Sequence, residues 1–427
     1  MHRRRWLRMT AAGLFASSGV AQALANARSI AAAGRSPEEV AVDEVFWASV
    51  RSAFDLDHTI MNLNNGGVSP APRSVIERQR RLVDQTNDLP ARNLWQVLEP
   101  RQESIRSSLA SIFGVNSEEL AITRNASESL ETLQLGLNLR SGDEVICSVH
   151  DYPRMITTWE QRARRDGIIL KQVAIPAPLM DPTDAIRAYR DAITPKTRVL
   201  HVSHVVFSTG QIMPVREICA LARQRGLDCI VDGAHSFAQF PFSQSDLQCQ
   251  FFGTSLHKWM CGPIGTGMLY VAKERIKDVW PLMAAPGSLD NDIRKFEEIG
   301  THPAALHNAL ADAIEFHAAI GSERKAARFH VLHQTWVGQV EARERLSFAT
   351  NVQDPANQCA LRLMILKDVD HSKLSAWLMD NHAIFTVPIT YGGLSGLRVA
   401  PNVYTRIADM VRFGSLVNRV AKGDVTL

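Results

Sequence analysis

Between about residues 115 and 275 the chain alternates short apolar runs with longer segments whose apolar residues recur at helical spacing. Leu120–Thr123, Val145–Val149, 168–173, Arg198–Ser203 and Leu227–Val231 are runs of strand length bounded by turn residues, and they read as buried parallel strands. The intervening segments 99–113, 130–137, 155–166, 182–191 and 214–225 carry the helical period. Gly114, Gly167 and Gly226 close three of them. Alternation of this kind predicts an α/β fold with a mainly parallel sheet and helices on both faces. A long apolar-periodic helix, Ala304–Ile320, ends the large domain, expected over 76–320. A smaller α+β domain follows over 321–427, with helices at 322–340 and 371–380 and strands near 345–349, 361–366 and Ile384–Pro388. Residues 26–75 read as an N-terminal segment. Its helix starts at Pro37-Glu38-Glu39 and carries Phe46 and Trp47. A short strand, Met61–Leu63, then runs into the turn Asn64-Asn65-Gly66-Gly67, and Pro70 and Pro72 open the helix Arg73–Thr86.

Composition narrows the picture without deciding it. The 427 residues have a formal net charge of +3, but Arg3, Arg4, Arg5 and Arg8 supply four bases before any acid appears. Without them 43 basic residues face 44 acidic ones, which leaves no nucleic-acid patch to expect. Residues 1–25 read as a twin-arginine export signal: paired arginines before Trp6-Leu7-Arg8, a weakly apolar run from Met9 to Leu24, and the cleavage pattern Ala23-Leu24-Ala25. The expected destination is the periplasm, reached after folding. None of the six cysteines forms a closely spaced pair and several lie in apolar runs, so buried free thiols are expected. The fourteen histidines are scattered and no metal-ligand cluster is visible.

The chemistry concentrates between Leu227 and Gly267. The apolar run to Val231 delivers Asp232-Gly233 at a strand's C-terminal end, where open α/β sheets bind ligands. A strand and turn later come Ser255, His257, Lys258 and Trp259, then Gly262, Gly265 and Gly267. A lysine among apolar and aromatic residues loses hydration. That lowers its pKa and makes it a better Schiff-base nucleophile. A carboxylate for a pyridine nitrogen and a lysine for an aldehyde suit pyridoxal phosphate. Upstream, Thr123-Arg124-Asn125-Ala126-Ser127-Glu128-Ser129 joins a strand to a helix start, which is an anion site by its amides and hydroxyls.

With these motifs the sequence resembles the class V aminotransferase family of fold-type I pyridoxal phosphate enzymes, and within it the isopenicillin N epimerase-like branch. The resemblance covers most of the chain after about residue 55. It implies a seven-stranded-type sheet and a homodimer. It implies the cofactor phosphate at Ala126 and Ser127, with Ser255 and His257 beside it, and Lys258 and Asp232 as the central pair. Tyr152, after the strand ending at His150, would stack on the cofactor ring, and His235 would pack near the ring or its oxygen. His204 in His204-Val205-Val206 would reach the ring oxygen or the substrate, or equally be a core histidine. Asn64 would line the substrate side. Arg398, in Gly396-Leu397-Arg398, would take the substrate carboxylate, for which a guanidinium fork is suited. Thr301, in Glu298-Ile299-Gly300-Thr301, would reach the partner subunit's phosphate. Family desulfurases need a cysteine before that arginine, and 383–398 contains none. Together with the export signal, the resemblance extends to exported enzymes that tailor the siderophore pyoverdine. It implies a siderophore precursor as substrate and oxidative decarboxylation of its chromophore-bound glutamate to a succinamide. Epimerisation, racemisation and amino transfer are the alternatives on the same scaffold, and a desulfurase or lyase is a further one.

Overall fold

The computed structural model describes residues 34–427, so the expected export segment lies outside the described residues. Its centre is a seven-stranded sheet in the order β2-β8-β7-β6-β5-β3-β4. These strands are β2 (Leu120–Thr123), β3 (Glu144–Ser148), β4 (Ile169–Val173), β5 (Thr197–Ser203), β6 (Asp228–Asp232), β7 (Phe251–Ser255) and β8 (Gly267–Val271). The run β7-β6-β5-β3-β4 is parallel, and β8 is antiparallel to both of its neighbours. The α/β expectation and the mainly parallel sheet are thus observed.

The two-residue period of the strands builds two cores. Leu200, Val202, Cys229, Val231, Phe252, Met268 and Tyr270 point to one face. There they meet Val75 of α2 (Arg73–Asp88), Leu109 of α3 (Glu99–Phe113), Ile218 of α7 (Val215–Gln224) and Leu310 of α8 (Ala304–Ile320). Val199, Ile230, Phe251, Leu269 and Val271 point to the other. They pack on Leu130 and Leu133 of α4 (Ala126–Gly136) and on Met155 and Trp159 of α5 (Pro153–Asp166). A further helix, α6 (Pro182–Ala192), joins β4 to β5. Both faces are covered, which is why the strands are apolar throughout rather than alternating with polar residues.

The C-terminal part is a four-stranded antiparallel sheet in the order β12-β13-β10-β9, made of β9 (Leu346–Phe348), β10 (Arg362–Leu366), β12 (Val387–Tyr391) and β13 (Leu394–Val399). The helices α9 (Ser322–Gly338), α10 (His371–His382) and α11 (Ile407–Lys422) pack around Trp336, Leu397 and Phe413. The N-terminal segment joins this half. Its strand β1 (Met61–Asn62) pairs in parallel with β11 (Ile384–Phe385), and Leu63 enters the same core as Trp336. Arg328 of α9, fully buried, donates to the Ala41 and Thr405 carbonyls at 2.9 and 2.8 Å and lies 5.1 Å from the Trp47 ring. One guanidinium therefore ties the N-terminal segment to the C-terminal loops.

Two local expectations are corrected. The first helix is split into Pro37–Ala41 and α1 (Glu44–Arg51), because the Asp43 carboxylate accepts from the Val45 and Phe46 amides and starts a new helix. The run Ile384–Pro388 is two strands, since Ile384 and Phe385 pair with β1 whereas Val387 and Pro388 pair with β13. Pro388 is tolerated because β12 is an edge strand. All six cysteines are buried and unbonded, in line with the expectation from their apolar surroundings.

Trp336 has no exposed surface. Trp336→Ala is expected to destabilise the fold by about 3–5 kcal/mol, read as a lower urea midpoint in circular dichroism.

Candidate active site

The site forms where β3, β5 and β6 end and where β7 gives way to β8. Asp232 is the last residue of β6 and is 5% exposed. One of its oxygens accepts from the Ala234 amide at 2.9 Å, which leaves the other without a protein partner. Burial raises its pKa. The backbone leaves the strand at Gly233, where a Cβ would come within 1.9 Å of the Phe252 ring. Strands β7 and β8 are paired with Ser255 opposite Gly267, so residues 256–266 form a loop at the same end of the sheet. That loop carries Lys258.

Lys258 is half-buried and lines a cavity of about 400 Å³ with Asp232, His235, Ser255 and His257. Its Nζ lies 3.1 Å from Nε2 of His235. The surrounding protein lowers the lysine to about 8, with Asp232 opposing the shift and Arg398 adding to it. His235 is pushed well below its ordinary value by burial and then by Lys258 and Arg398, so the imidazole is neutral. Its Nδ1 is buried without a partner.

The anion end of the cavity is the start of α4. Asn125 caps the helix by accepting from the Glu128 amide at 2.9 Å, and the Ala126 amide donates to Ser255 Oγ at 2.9 Å. The Ser127 amide and hydroxyl are the uncommitted donors of the first turn, and Ser255 keeps its own proton to donate. Gly267 lets the helix sit this close to the sheet, because a Cβ there would lie 2.6–2.7 Å from Asn125 backbone atoms. The helix start expected to serve as an anion site thus lines the cavity, with its Ala126 amide already bonded to Ser255.

Tyr152 starts α5 at the cavity wall, 39% exposed, with its ring 5.2 Å from Phe207 in an edge-to-face contact. The preceding Asp151 holds this corner. Its carboxylate accepts from the Ser148 amide at 2.7 Å and from the Ser203 amide and hydroxyl at 3.0 and 2.6 Å, which joins the ends of β3 and β5. Burial raises Asp151 to about 6. Arg398 of β13 does not line the cavity but reaches Phe207 of its wall from the C-terminal half. It donates to the Phe207 carbonyl and to Asn64 Oδ1, both at 2.8 Å, while its Nε is buried and unpartnered. Burial lowers it to about 10, still a cation at neutral pH. Gly66 lies between Arg398 and His235, each 3.6 Å from the position of a Cβ. Asn64 thus orients the arginine rather than lining the cavity itself.

His204 is not brought to the site, which corrects its assignment as a cofactor or substrate ligand. It has the strand parity of Leu200 and Val202 and turns into the core on that face, against Phe242 at 4.8 Å and Phe240 at 5.6 Å. Burial pushes it to about 3. Thr301 does not line the Lys258 cavity of its own chain. It is exposed beside a second cavity of about 480 Å³, near Arg106 and Glu297, which bond at 2.5 Å. Asn125, Asp151 and Phe207 are the contributors that sequence reasoning missed. The cap was readable from an Asn before a helix start, but the strand-bridging role of Asp151 and the carbonyl of Phe207 were not.

The family profile described as Aminotransferase class-V matches residues 61–425. The chain belongs to the class-V aminotransferase family. Among its curated relatives, isopenicillin N epimerase of Streptomyces clavuligerus is 31% identical over 306 residues, covering 66% of this chain and 75% of that protein. The Amycolatopsis lactamdurans enzyme of the same name is 30% identical, covering 70% and 78%. A cysteine desulfurase from Thermococcus onnurineus NA1 shares the fold with a TM-score of 0.75 at 22% identity, covering 88% of this chain and 98% of that one. A mutant C-DES with glycine covalently linked to its PLP cofactor shares it with a TM-score of 0.74 at 20% identity, covering 85% and 97%.

The cofactor of this family is pyridoxal phosphate, and the residues present fit it. Among the described residues, a carboxylate with one oxygen free of protein partners, a lysine of lowered pKa, a buried imidazole nitrogen without a partner and the partly capped start of α4 share one cavity. Its volume is in the range of cofactor sites.

Gly267→Ala is expected to displace the start of α4 and weaken cofactor binding by at least about tenfold, or 1.4 kcal/mol. Equilibrium dialysis of the variant against wild type reads this directly. The apoprotein amine reacts only when neutral. The rate of cofactor capture should therefore climb with pH and level off above about 8 rather than above 10.5, the ordinary lysine value, as followed by stopped-flow absorbance.

Proposed function

We propose that this chain is an exported pyridoxal phosphate enzyme that acts on a pyoverdine-type siderophore precursor, converting the chromophore-bound glutamate to a succinamide by oxidative decarboxylation. The observation that carries this reading is the pairing of a twin-arginine type N-terminus with a class V cavity that no cysteine lines. All six cysteines are buried, and none lines the Lys258 cavity. That argues against a desulfurase, whose reaction requires a reachable thiolate. The reaction balances with dioxygen. The Cα–carboxylate bond breaks and carbon dioxide leaves, Cα gains one oxygen atom and becomes the amide carbon, and the second oxygen atom leaves as water.

The cofactor, when bound, supplies a conjugated ring that takes up the electron pair left at Cα. The side chains do the rest. Asp232 keeps a proton on the ring nitrogen by its negative charge. Tyr152, on the cavity wall, would offer its aromatic face to the cofactor ring. Ser127, Ser255 and His257 hold the phosphate at the start of α4. Arg398, oriented by Asn64 and the Phe207 carbonyl, would hold the substrate's α-carboxylate and so orient the groups on Cα. Lys258 moves protons to and from the α-amino nitrogen, with His235 as its neutral neighbour. Two copies of the chain make the working unit, with the exposed Thr301 serving the partner's phosphate.

Epimerisation is the second reading, favoured by the two relatives near 30% identity that carry that activity in their names. Mass spectrometry of a chromophore-bearing precursor incubated with the enzyme in deuterated water separates the two. Oxidative tailoring gives a net loss of CH2O that depends on oxygen and is absent in Lys258→Ala. Epimerisation leaves the carbon skeleton intact and places deuterium at Cα. A precursor unchanged in both respects, incubated with cofactor-loaded enzyme, overturns the siderophore assignment.

A further inference from the structure

A second buried lysine lies beneath the loop that carries the first. Lys325, in the first turn of α9, is 2% exposed. Its ammonium donates to the carbonyl oxygen of Trp259, the residue after Lys258. It also lies 3.2 Å from Nδ1 of His317 in the last turn of α8. The other ring nitrogen of His317 is 3.3 Å from Ser322 Oγ, so the imidazole is held between the two helices. No carboxylate pairs with Lys325 among the described residues. The titratable groups that face it are His317 and Cys261, and burial brings the lysine down to about 8. An ammonium in such a place has lost most of its hydration, a cost that no carboxylate offsets among the described residues. A methionine would fill the same volume without that cost, so stability alone does not account for a lysine here.

The loop is what the lysine holds. The Lys258 carbonyl accepts from the Cys261 amide at 3.1 Å, and the His257 carbonyl from the Ser69 amide at 3.1 Å. Cys261 has a φ of +56°, a left-handed conformation that a residue with a side chain adopts only under constraint. The Trp259 carbonyl lies within the same turn, and Lys325 donates to it. The Trp259 indole, with no exposed surface, is 6.5 Å from the ring of His235 and 5.5 Å from Phe329, one turn beyond Lys325 on α9. Helix α9 therefore grips Trp259 by both its carbonyl and its ring, and the ring leans on the histidine that faces Lys258 Nζ.

We propose that Lys325 is a positioning residue for Lys258: with His317 it clamps the Trp259 carbonyl to the α8–α9 junction and so fixes the backbone from which Lys258 enters the cavity. The role does not depend on which substrate the enzyme takes.

The test compares wild-type, Lys325→Met and His317→Gln holoenzymes by hydrogen exchange and by the visible circular dichroism of the bound cofactor. In Lys325→Met the amides of 256–266 should exchange at least about tenfold faster, those of α4 should be unchanged, and the cofactor's dichroic band should weaken. His317→Gln should move both readouts the same way by about threefold or more, and it decides alone if Lys325→Met does not fold. Wild-type exchange and dichroism in the variants overturn the proposal. So does faster exchange spread equally over 256–266 and α4, which is the mark of a merely destabilised protein.

Discussion

An amine that must act as a nucleophile near neutral pH has to be partly stripped of water, yet its charged form has to remain accessible. Lys258 meets both demands because it projects from a loop between two paired strands into a cavity that also holds Asp232. Burial lowers its pKa and the carboxylate limits the fall. The surrounding architecture follows from this constraint. The parallel strands bring Asp232 and the Asp151–Ser203 corner to one end of the sheet, β8 reverses direction so that the lysine loop lies at that same end, and α4 starts beside it. A one-residue slip of β5 or β6 would turn Ser203 or Asp232 to the opposite face of the sheet.

Small residues stand at each close approach around the cavity. Gly233 yields to the Phe252 ring, Gly253 to Leu130 and Ser129, and Gly267 to the Asn125 backbone. They let the sheet, the helix start and the lysine loop converge on one volume. The substrate side is assembled differently. Arg398 and Asn64 are 334 residues apart in the chain and meet because the N-terminal segment folds onto the C-terminal half through β1–β11 and the Arg328 carbonyl bonds. The Lys258 cavity and Arg398 are thus positioned by separate cores that approach each other at Phe207.

This division gives a physical reason for the family's range of reactions. The cofactor end is constrained by burial and by closely packed backbone. The Arg398 guanidinium depends instead on the relative placement of β13, the Asn64 turn and the Phe207 carbonyl, and a substrate group that it held would be reoriented by small changes there. The aromatic contacts of Phe207 with Tyr152 and Tyr391 connect the two ends.

Local chemistry and periodicity were sufficient to locate the alternating strands and helices and to mark Asp232, Lys258, the helix start at Ala126 and the arginine of β13 as candidates, since each depends on residues close together in the chain. The fate of His204 was also latent in the strand period, because it shares the parity of Leu200 and Val202. What the sequence could not reveal are the pairings between distant segments: Asp151 with Ser203, Asn64 with Arg398, Lys325 with the Trp259 carbonyl. Hydrophobic patterning states which face of an element is buried but not which neighbour it is buried against. A polar side chain in that core acquires its partner, and with it a role, only when tertiary packing chooses the neighbour.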